Sequence, residues 1–413
     1  MREPPLITVI LATYNRREVT LSTLARVVAS AGPNYGVHVV AVDNGSRDGT
    51  AEAIKQRFSD VTVLRAPRNL GSCAKALGIP HAQGEYVVFL DDDSHPRPGS
   101  LSQMLHHFEA NPDLGAAGFR VHLPDGSQES AALPEVFVGC GVGFRTRALQ
   151  DAGGLDGDLF MQAEEYHLAF RLVNAGWSIR LFDDLHVEHL KTPRARRRRR
   201  TTFLDTRNNL LLAARYLPDP YYTIYAEDWR QRYGWLARSA GHRSAFLRGW
   251  VAGAMRGRRD RQDEVWRPQQ LRPAALETLF RLEFVRRKLT ELHAEGVRRV
   301  VLADLGKNVY AFHAGAAQAG IQVSAIADDG FAAAGRSYRG TPVVPLERVD
   351  GLAPNALVIA NMSPVHANRT RQRLLQQFSL PVFDWFSRPA VPAPTANRAL
   401  RAAAIPATIR DFD

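Results

Sequence analysis

The stretch Tyr86-Val-Val-Phe-Leu-Asp-Asp-Asp93 joins a continuous apolar run to three consecutive carboxylates. Such a run predicts a strand that is buried on both faces of a parallel sheet. Three adjacent acids repel one another, which costs stability unless a cation or solvent offsets their charge. Alternate residues of an extended chain point the same way, so Asp91 and Asp93 can share one face and suit a hard divalent cation such as Mg²⁺ or Mn²⁺. A solvated acidic turn is the alternative interpretation.

Strands and helices alternate upstream of this stretch. Strands are predicted at 6–12, 37–42 and 61–65, and helices at about 17–30, 50–58 and 72–82. This alternation indicates a parallel α/β sheet, in which ligands bind at the carboxyl ends of the strands. We expect the polar residues that follow the strands to converge on one edge of the sheet: Thr13, Asn15, Asp43, Arg68, Asn69, Asp91 and Asp93.

The pattern changes twice further along the chain. Residues 112–190 are predicted to be mixed α/β, with strands near 136–144 and 178–182. From about residue 200 the sequence is helical, rich in Arg and aromatic, and from residue 298 a second, smaller α/β unit is predicted. We therefore predict domains at 1–203, 204–296 and 297–387, followed by an Ala/Pro-rich tail at 388–413.

Composition narrows the class of protein. Of the 413 residues, 45% are hydrophobic and 23% are charged, which is the balance of a folded chain. No stretch approaches the roughly 18 uncharged apolar residues of a spanning helix, and the first residues lead straight into a strand-like run, which disfavours a cleaved signal peptide. The two cysteines, Cys73 and Cys140, cannot build a disulfide scaffold or a four-cysteine metal site. They favour a reducing cytoplasm.

One segment carries the whole excess of positive charge. The net charge is +11, and residues 191–267 hold 19 Lys and Arg against 7 Asp and Glu, so the rest of the chain sums to −1. Such a segment favours an anionic partner: phosphates of a small ligand, acidic lipid headgroups or nucleic acid. Its mixture of Arg and Trp equally suits a membrane interface, saccharide stacking, or packing between copies of the chain in a homo-oligomer. No established nucleic-acid motif occurs in it, which makes nucleic acid the least favoured partner.

The densest charge run is Arg194 with Arg196–Arg200, directly after His189. Three interpretations stay open for it. It forms a lid loop that clamps phosphates, a patch for an anionic membrane, or a solvated loop.

Four ordered motifs carry a family resemblance. They are Thr-Val-Ile-Leu-Ala-Thr-Tyr-Asn-Arg at 8–16, Val-Asp-Asn-Gly-Ser-Arg-Asp-Gly-Thr at 42–50, Arg-Asn-Leu-Gly at 68–71 and Gly-Glu-Tyr-Val-Val-Phe-Leu-Asp-Asp-Asp at 84–93. Gly139-Cys-Gly141, Gly153-Gly-Leu-Asp156 and Glu164-Glu165 continue the series. Together they resemble family 2 glycosyltransferases of the GT-A fold, and the rhamnosyltransferase-like branch in particular. The likeness covers about residues 5–215.

The resemblance implies a role for each matched residue. Binding of a nucleotide sugar would fall to Thr13, Tyr14, Asn15, Arg16, Asp43, Asp48, Arg68, Asn69, Asp91 and Asp92. Asp93 would ligate the metal, Mn²⁺ or Mg²⁺, together with Asp91 and His189. Glu165 would be the catalytic base, paired with Glu164 where the family has Glu-Asp.

The implied reaction is the attack of an acceptor hydroxyl on the anomeric carbon of a nucleoside-diphosphate sugar. A carboxylate must take the proton of the hydroxyl, and a cation with nearby Arg side chains stabilises the leaving diphosphate. One base and one metal-assisted leaving group predict inversion, since retention would need a nucleophilic carboxylate, for which Asp91 and Asp92 stay open. The acceptor would be a saccharide or a lipid-linked saccharide. Cell-surface polysaccharide or glycolipid synthesis is expected, in the cytoplasm or peripherally at the inner face of the membrane.

Two other functions compete with this one. A sugar-phosphate nucleotidyltransferase would also use strand-end carboxylates and a divalent cation, but its Gly-rich, Lys/Arg-bearing loop is missing after the first strand. A non-enzymatic scaffold that binds nucleic acid or membrane would need only the basic segment. The unit at 297–387 resembles a Rossmann-type module in which only Gly306 fits the glycine fingerprint and Asp328-Asp329 ends the second strand.

Overall fold

A computed structural model describes residues 6–191 and 198–385. Arg194, Arg196 and Arg197 of the predicted charge run lie outside the described residues, as does the predicted tail. The chain divides into two compact units, residues 1–275 and 276–413. The finer division at residues 203 and 296 stays a prediction.

The first unit is built on one mixed sheet. Its strands are β1 (Leu6–Thr13), β2 (Gly36–Asp43), β3 (Val61–Arg65), β4 (Tyr86–Asp91), β5 (Ser94–Pro96), β6 (Leu114–His122), β7 (Gln128–Glu129), β8 (Gly141–Arg145) and β9 (Ser178–His189). The strand order is β3-β2-β1-β4-β8-β6-β9-β5, and β7 pairs with β6. Strands β1 to β4 are parallel, as predicted from their apolar runs, whereas β8 is antiparallel to β4.

Helices cover this sheet and continue beyond it. They are α1 (Arg17–Val28), α2 (Thr50–Arg57), α3 (Ser100–Ala110), α4 (Thr146–Asp151), α5 (Glu164–Asn174), α6 (Arg198–Tyr216), α7 (Tyr221–Ser239) and α8 (Arg243–Gln262). Helix α9 (Pro273–Phe280) includes the boundary between the two units. Short 3₁₀ helices lie at Gly71–His81, Gly157–Leu159 and Arg267–Gln269. The predicted helix at 72–82 is therefore 3₁₀ in character; it contains Pro80, which lacks the N–H that a helical hydrogen bond needs.

The strand register brings the predicted polar residues to one edge. Thr13 is opposite Asp43, and Ala12 is opposite Asp91. Two other predicted bounds change. The strand expected at 136–144 begins only at Gly141, whose N–H closes a turn with the Val138 carbonyl at 3.1 Å, and the strand expected at 178–182 continues to His189.

Helix α8 packs against α6 through a stripe of small residues. Ala245, Gly249, Gly253 and Gly257 are its buried positions along this side. A Cβ atom added at Gly249 would lie 2.6 Å from the Phe203 carbonyl oxygen, so only glycine permits this approach. No helix in residues 6–191 or 198–385 has the length and hydropathy that crossing a membrane requires.

The second unit contains the predicted smaller parallel sheet. Its elements are α10 (Leu282–Ala294), β10 (Arg299–Ala303), α11 (Val309–Gln318), β11 (Gln322–Ala327), β12 (Ser337–Tyr338), β13 (Thr341–Val344), β14 (Ala356–Ile359), α12 (Pro364–Gln377) and β15 (Val382–Phe383). The strand order is β12-β13-β11-β10-β14-β15, parallel except for β12. Doubly wound α/β domains have this arrangement of parallel strands.

Candidate active site

The loops after β1 and β2 are fastened to each other. Asn15 has a left-handed backbone, with φ 52°, and its side-chain oxygen accepts the Arg47 N–H at 2.8 Å. The Asn15 N–H donates to the Ser46 hydroxyl at 2.9 Å. Asp43 is buried and accepts the Ser46 N–H at 3.2 Å. The structure thus brings Asn15 and Asp43 into one pair of loops at the strand ends.

Other predicted residues in these loops differ in accessibility. Tyr14 and Arg68 are exposed, whereas Thr13 is buried with its hydroxyl 2.7 Å from the Thr20 hydroxyl. Asn69 is half-buried and accepts the Gly71 N–H. Asp48 accepts the N–H groups of Arg17 and Thr50, each at 3.1 Å, so its carboxylate supports the starts of α1 and α2. A nucleotide-binding role for these residues stays a prediction.

The three strand-end acids are compensated by protein cations. Arg16 donates to Asp92 Oδ1 at 2.5 Å and to Asp93 Oδ2 at 2.7 Å. Both acids are buried, which contradicts the alternative of a solvated acidic turn. Burial raises the pKa of Asp92 to about 7, although Arg16 opposes this. Asp91, with its side chain 38% exposed, receives the Lys75 ammonium at 2.6 Å.

His189 lies against Asp93, and the shared ligand role that the resemblance implies for them stays a prediction. Its Nε2 is 3.3 Å from Asp93 Oδ1, and its Nδ1 is 2.9 Å from Glu129 Oε2. Burial alone would lower the pKa of His189, but Asp93, Cys140 and Glu129 raise it to about 12. Glu129 is a residue that the sequence analysis missed, because nothing in a two-residue strand distinguishes it.

The donor atoms of this cluster fit a divalent cation. Asp91, Cys140 and His189 have potential ligand atoms within 4.8 Å of one another. A histidine whose Nδ1 is held by a carboxylate and whose Nε2 faces a second carboxylate has the arrangement of a metal-binding imidazole. Carboxylate oxygens suit Mg²⁺ and Mn²⁺, whereas the Cys140 sulfur is a soft donor that suits neither. Asp91 and His189 are thus the oxygen and nitrogen ligands of this group, and Asp93 contacts His189 from outside it. The ligand set Asp93, Asp91 and His189 stays a prediction.

Lys75 connects the acidic cluster to the opposite side of the site. It is buried, and its ammonium donates to Asp91 Oδ1 at 2.6 Å and to the Gly139 carbonyl at 2.9 Å. Gly139 in turn lies against Glu165: a Cβ added there would be 3.1 Å from Glu165 Oε1. The sequence analysis missed Lys75, although a single charge within the apolar run Cys73-Ala-Lys-Ala-Leu77 was a usable signal.

Glu164 and Glu165 begin α5 after a loop of unusual backbone. Phe160, Gln162 and Ala163 have φ of 66°, 71° and 68°, a region that non-glycine residues rarely occupy. Such a loop persists only where its surroundings fix it. Glu164 is buried and accepts the Ser72 hydroxyl, whereas Glu165 is half-buried and accepts the Gly139 N–H.

Side chains of helix α6 hold this loop by hydrogen bonds. Asn208 is fully buried, and its side-chain amide donates to the carbonyls of Leu159, Met161 and Gln162 at 2.9, 2.9 and 2.7 Å. Arg207 adds a hydrogen bond to the Leu159 carbonyl at 3.0 Å. The backbone that precedes the two glutamates is therefore tied to a helix that follows them in sequence by some forty positions, which the sequence analysis did not detect.

The two glutamates share a buried environment and titrate as a pair. Burial and the adjacent Glu165 charge together raise the pKa of Glu164 to about 8. Burial also raises the pKa of Glu165, while the Gly139 N–H and Lys75 favour its ionised form. The pKa values of both carboxyls are therefore raised, and the pair disfavours two negative charges side by side.

The described part of the arginine run opens α6 beside this loop. Arg198–Arg200 are exposed, and the Arg200 guanidinium lies 4.0 Å from the centre of the Phe160 ring. This contact places one arginine of the run next to the loop that carries the glutamates. The three interpretations of the run stay predictions.

Two family models match overlapping parts of the chain. Residues 8–150 match glycosyl transferase family 2, and residues 114–237 match glycosyl transferase family group 2. Together they cover the sheet of the first unit and helix α6.

Curated proteins match the same region. The pre-mycofactocin glycosyltransferase of Mycobacterium tuberculosis is 27% identical over 197 residues, which are 42% of this chain and 40% of that protein. Glycosyltransferase AglE of Haloferax volcanii is 25% identical over 208 residues, 46% of this chain and 68% of that protein. The poly-beta-1,6-N-acetyl-D-glucosamine synthase of Staphylococcus epidermidis is 27% identical over 205 residues, 43% of this chain and 46% of that protein. The chain thus spans less than half the length of two of these relatives.

Solved structures that match this chain have lower sequence identity than the curated relatives. A mannosyltransferase from Pyrobaculum calidifontis in complex with GDP-Man and Mn²⁺ has a TM-score of 0.43 and 20% identity, over 66% of this chain and 87% of that one. GalNAc-T7 with UDP, GalNAc and Mn²⁺ has a TM-score of 0.47 and 13% identity, over 60% and 55%. Both TM-scores are below 0.5, and both identities are below 25%.

Proposed function

We propose that the protein moves a sugar from a nucleoside diphosphate to an acceptor hydroxyl with inversion. The premise is the match of residues 8–150 to glycosyl transferase family 2 and of residues 114–237 to glycosyl transferase family group 2. One observation carries the proposal. The strand-end acids and the Glu164-Glu165 pair lie on two sides of a buried lysine, Lys75, that contacts Asp91 and the Gly139 carbonyl. Separate carboxylates for the leaving group and for the base are what a single displacement requires.

On the donor side, the residues offer both recognition and charge. Tyr14 and Arg68 are exposed next to the buried Asp43, an arrangement that suits a base and ribose. The Arg16 guanidinium, which pairs with Asp92 and Asp93, would also reach the diphosphate and neutralise part of its charge. The divalent ion held by Asp93, Asp91 and His189 would supply Lewis-acid stabilisation of the leaving diphosphate.

On the acceptor side, Glu165 would take the proton of the attacking hydroxyl. Its ionised form is favoured by the Gly139 N–H and by Lys75, and its burial keeps it basic enough to accept a proton. Burial and the Glu165 charge raise the pKa of Glu164 to about 8, so Glu164 would stay protonated. It would therefore not repel the negative charge that develops on the attacking hydroxyl oxygen. The Asn208 contacts fix the loop that orients both side chains.

Inversion is supported by the ion pairs of Asp91 and Asp92, the two carboxylates that could act as nucleophiles in a retaining reaction. Asp92 is buried and paired with Arg16, and Asp91 is paired with Lys75. A carboxylate that is neutralised in this way is a weak nucleophile. We propose a saccharide or lipid-linked saccharide acceptor in cell-surface polysaccharide or glycolipid synthesis, and the similarity to a poly-beta-1,6-N-acetyl-D-glucosamine synthase supports this class.

Thermal unfolding with nucleotide sugars tests the donor side directly. A panel of UDP, GDP and dTDP sugars is added with and without Mn²⁺ or Mg²⁺. A ligand at about 100 times its Kd adds about 2.7 kcal/mol to the native state, so one base should raise Tm by several degrees when the cation is present. Asp93→Ala should abolish the rise, whereas Asp60→Ala, at an exposed acid after α2, should keep it. If no nucleotide sugar raises Tm with either cation, the proposed donor class is wrong.

A further inference from the structure

Helix α8 has two opposite sides of different chemistry. Its buried side is the small-residue stripe that packs on α6. Each helical residue turns by about 100°, so a residue two positions after a buried one lies about 200° away, on the opposite side. Positions 243, 247, 251, 255 and 259 form this opposite line because they follow one another at four-residue spacing.

The residues on this opposite side form the α8 outer face, which is apolar in the middle and basic at both ends. It consists of Arg243, Leu247, Val251, Met255 and Arg259. All five residues are exposed: Leu247 is 50% accessible, Val251 51% and Met255 71%. Isolated exposed apolar residues are ordinary, but a continuous line of them marks an interaction surface.

The charge of helix α8 indicates which partner fits this face. Six arginines lie on α8 against one acid, Asp260, and that acid is buried in contact with Arg215 and Arg256. Within residues 6–191 and 198–385, the structure gives Arg243, Arg248, Arg258 and Arg259 no ion-pair partner. Exposed Trp250 lies beside the line. Basic residues that flank an apolar line, with a tryptophan at its side, match a helix that lies in the interface of an anionic bilayer.

We propose that the α8 outer face docks on an anionic membrane surface. The arginines contact lipid phosphates, and Leu247, Val251 and Met255 enter the boundary between headgroups and acyl chains. Nucleic acid would use the arginines but leave the apolar line without a role. A second copy of the chain, related by a twofold axis through the same face, would bring the Arg243 end of one helix against the Arg259 end of the other, and like charges would repel.

Vesicle flotation of the full chain tests this docking without any nucleotide sugar, so its result is separate from that of the proposed transfer. The vesicles consist of phosphatidylcholine alone or of phosphatidylcholine with phosphatidylglycerol. Unaltered protein should float only with the anionic vesicles. The Leu247→Gln/Val251→Gln/Met255→Gln variant and the Arg243→Glu/Arg259→Glu variant should each lose at least about tenfold in binding.

Two matched controls exclude general effects of polarity and charge. Val28→Gln removes an exposed apolar residue from α1, and Arg287→Glu/Arg348→Glu makes the same change of net charge on exposed residues of the second unit. Both should float like the unaltered protein, and all variants should keep its Tm because the changed positions are exposed. Equal flotation of the α8 variants and the unaltered protein would overturn the proposal. Loss in the arginine variant alone would also overturn it, because it would identify a surface for polyanions rather than for a bilayer.

Discussion

Acidic residues lie at the carboxyl ends of parallel strands in both units of this protein, but they have different partners. In the first unit, Asp91, Asp92 and Asp93 pair with the side chains of Lys75 and Arg16. In the second unit, Asp328 follows β11 and accepts the backbone N–H groups of Leu305, Gly330 and Phe331 at 2.8, 2.9 and 3.2 Å. The acids of the first unit are neutralised by side chains, which can move toward a ligand, whereas Asp328 is held by backbone N–H groups. Its neighbour Asp329 pairs with Arg373.

This difference separates a candidate ligand site from a structural one. Backbone amides that hold a carboxylate also hold the loop, so Asp328 orders the turn after β11. Gly306 also has a structural role. A Cβ added there would be 2.4 Å from the Ala360 carbonyl oxygen, so the glycine permits contact between two loops of its own sheet. The predicted Rossmann-like role for this unit stays a prediction, but its fingerprint residues have local structural reasons to be present.

The largest expected effect concerns the base of the first site. Glu165→Gln removes the group that would accept the hydroxyl proton, so kcat should fall by about 10²–10⁴-fold. The rise in Tm with nucleotide sugar should persist, because the donor side is unchanged. Radiolabelled sugar transfer and thermal unfolding measure the two effects separately.

Glu164→Gln is the matched control for that experiment. Gln resembles a protonated glutamate in shape and charge, and burial already favours the protonated form of Glu164. Transfer should therefore stay within a few-fold of the unaltered protein. Unchanged turnover in Glu165→Gln, or the larger loss in Glu164→Gln, would remove Glu165 as the base.

A smaller effect is expected at Lys75, through the pH dependence of transfer. Burial raises the pKa of Glu165, and the Lys75 charge opposes that rise by favouring the ionised form. Lys75→Met removes this charge, so the pKa of Glu165 rises further and the acid limb of kcat moves to higher pH by about one unit. Lys75→Arg keeps the charge and should keep the limb in place. If both variants have the acid limb of the unaltered protein, Lys75 does not act on the base.

Much of the first site was predictable because its residues follow strands. The apolar runs fix β1, β2 and β4, and a parallel register places the residues after them at one edge, where Asp43, Asp91 and Asp93 are found. His189 lies beside Asp93, and their shared ligand role stays a prediction. These agreements need only local patterns and the geometry of parallel sheets.

The residues that were missed act across long stretches of sequence. Glu129 meets His189 from a two-residue strand, and Asn208 binds a loop some fifty positions earlier. Neither residue belongs to a sequence motif or a periodic pattern, because its contacts exist only in the folded chain. The strand predicted at 136–144 begins later, at Gly141, because a turn closes between the Val138 carbonyl and the Gly141 N–H.

The smallest expected effect comes from the second sheet and completes the comparison. Asp328→Asn replaces one acceptor oxygen by a donor that faces a backbone N–H, so the free energy of unfolding should fall by about 1–3 kcal/mol in chemical denaturation. Asp329 provides the control: it is exposed, and it accepts the Leu346 N–H at 2.9 Å and the Arg373 guanidinium at 3.3 Å. Because exposed ion pairs contribute little, Asp329→Asn should cost less. Sugar transfer per folded molecule should be the same in both variants, because Asp328 holds a turn and no ligand. A loss of transfer without a loss of stability in Asp328→Asn would show that the second sheet edge also binds a ligand, and the distinction between side-chain and backbone partners would fail.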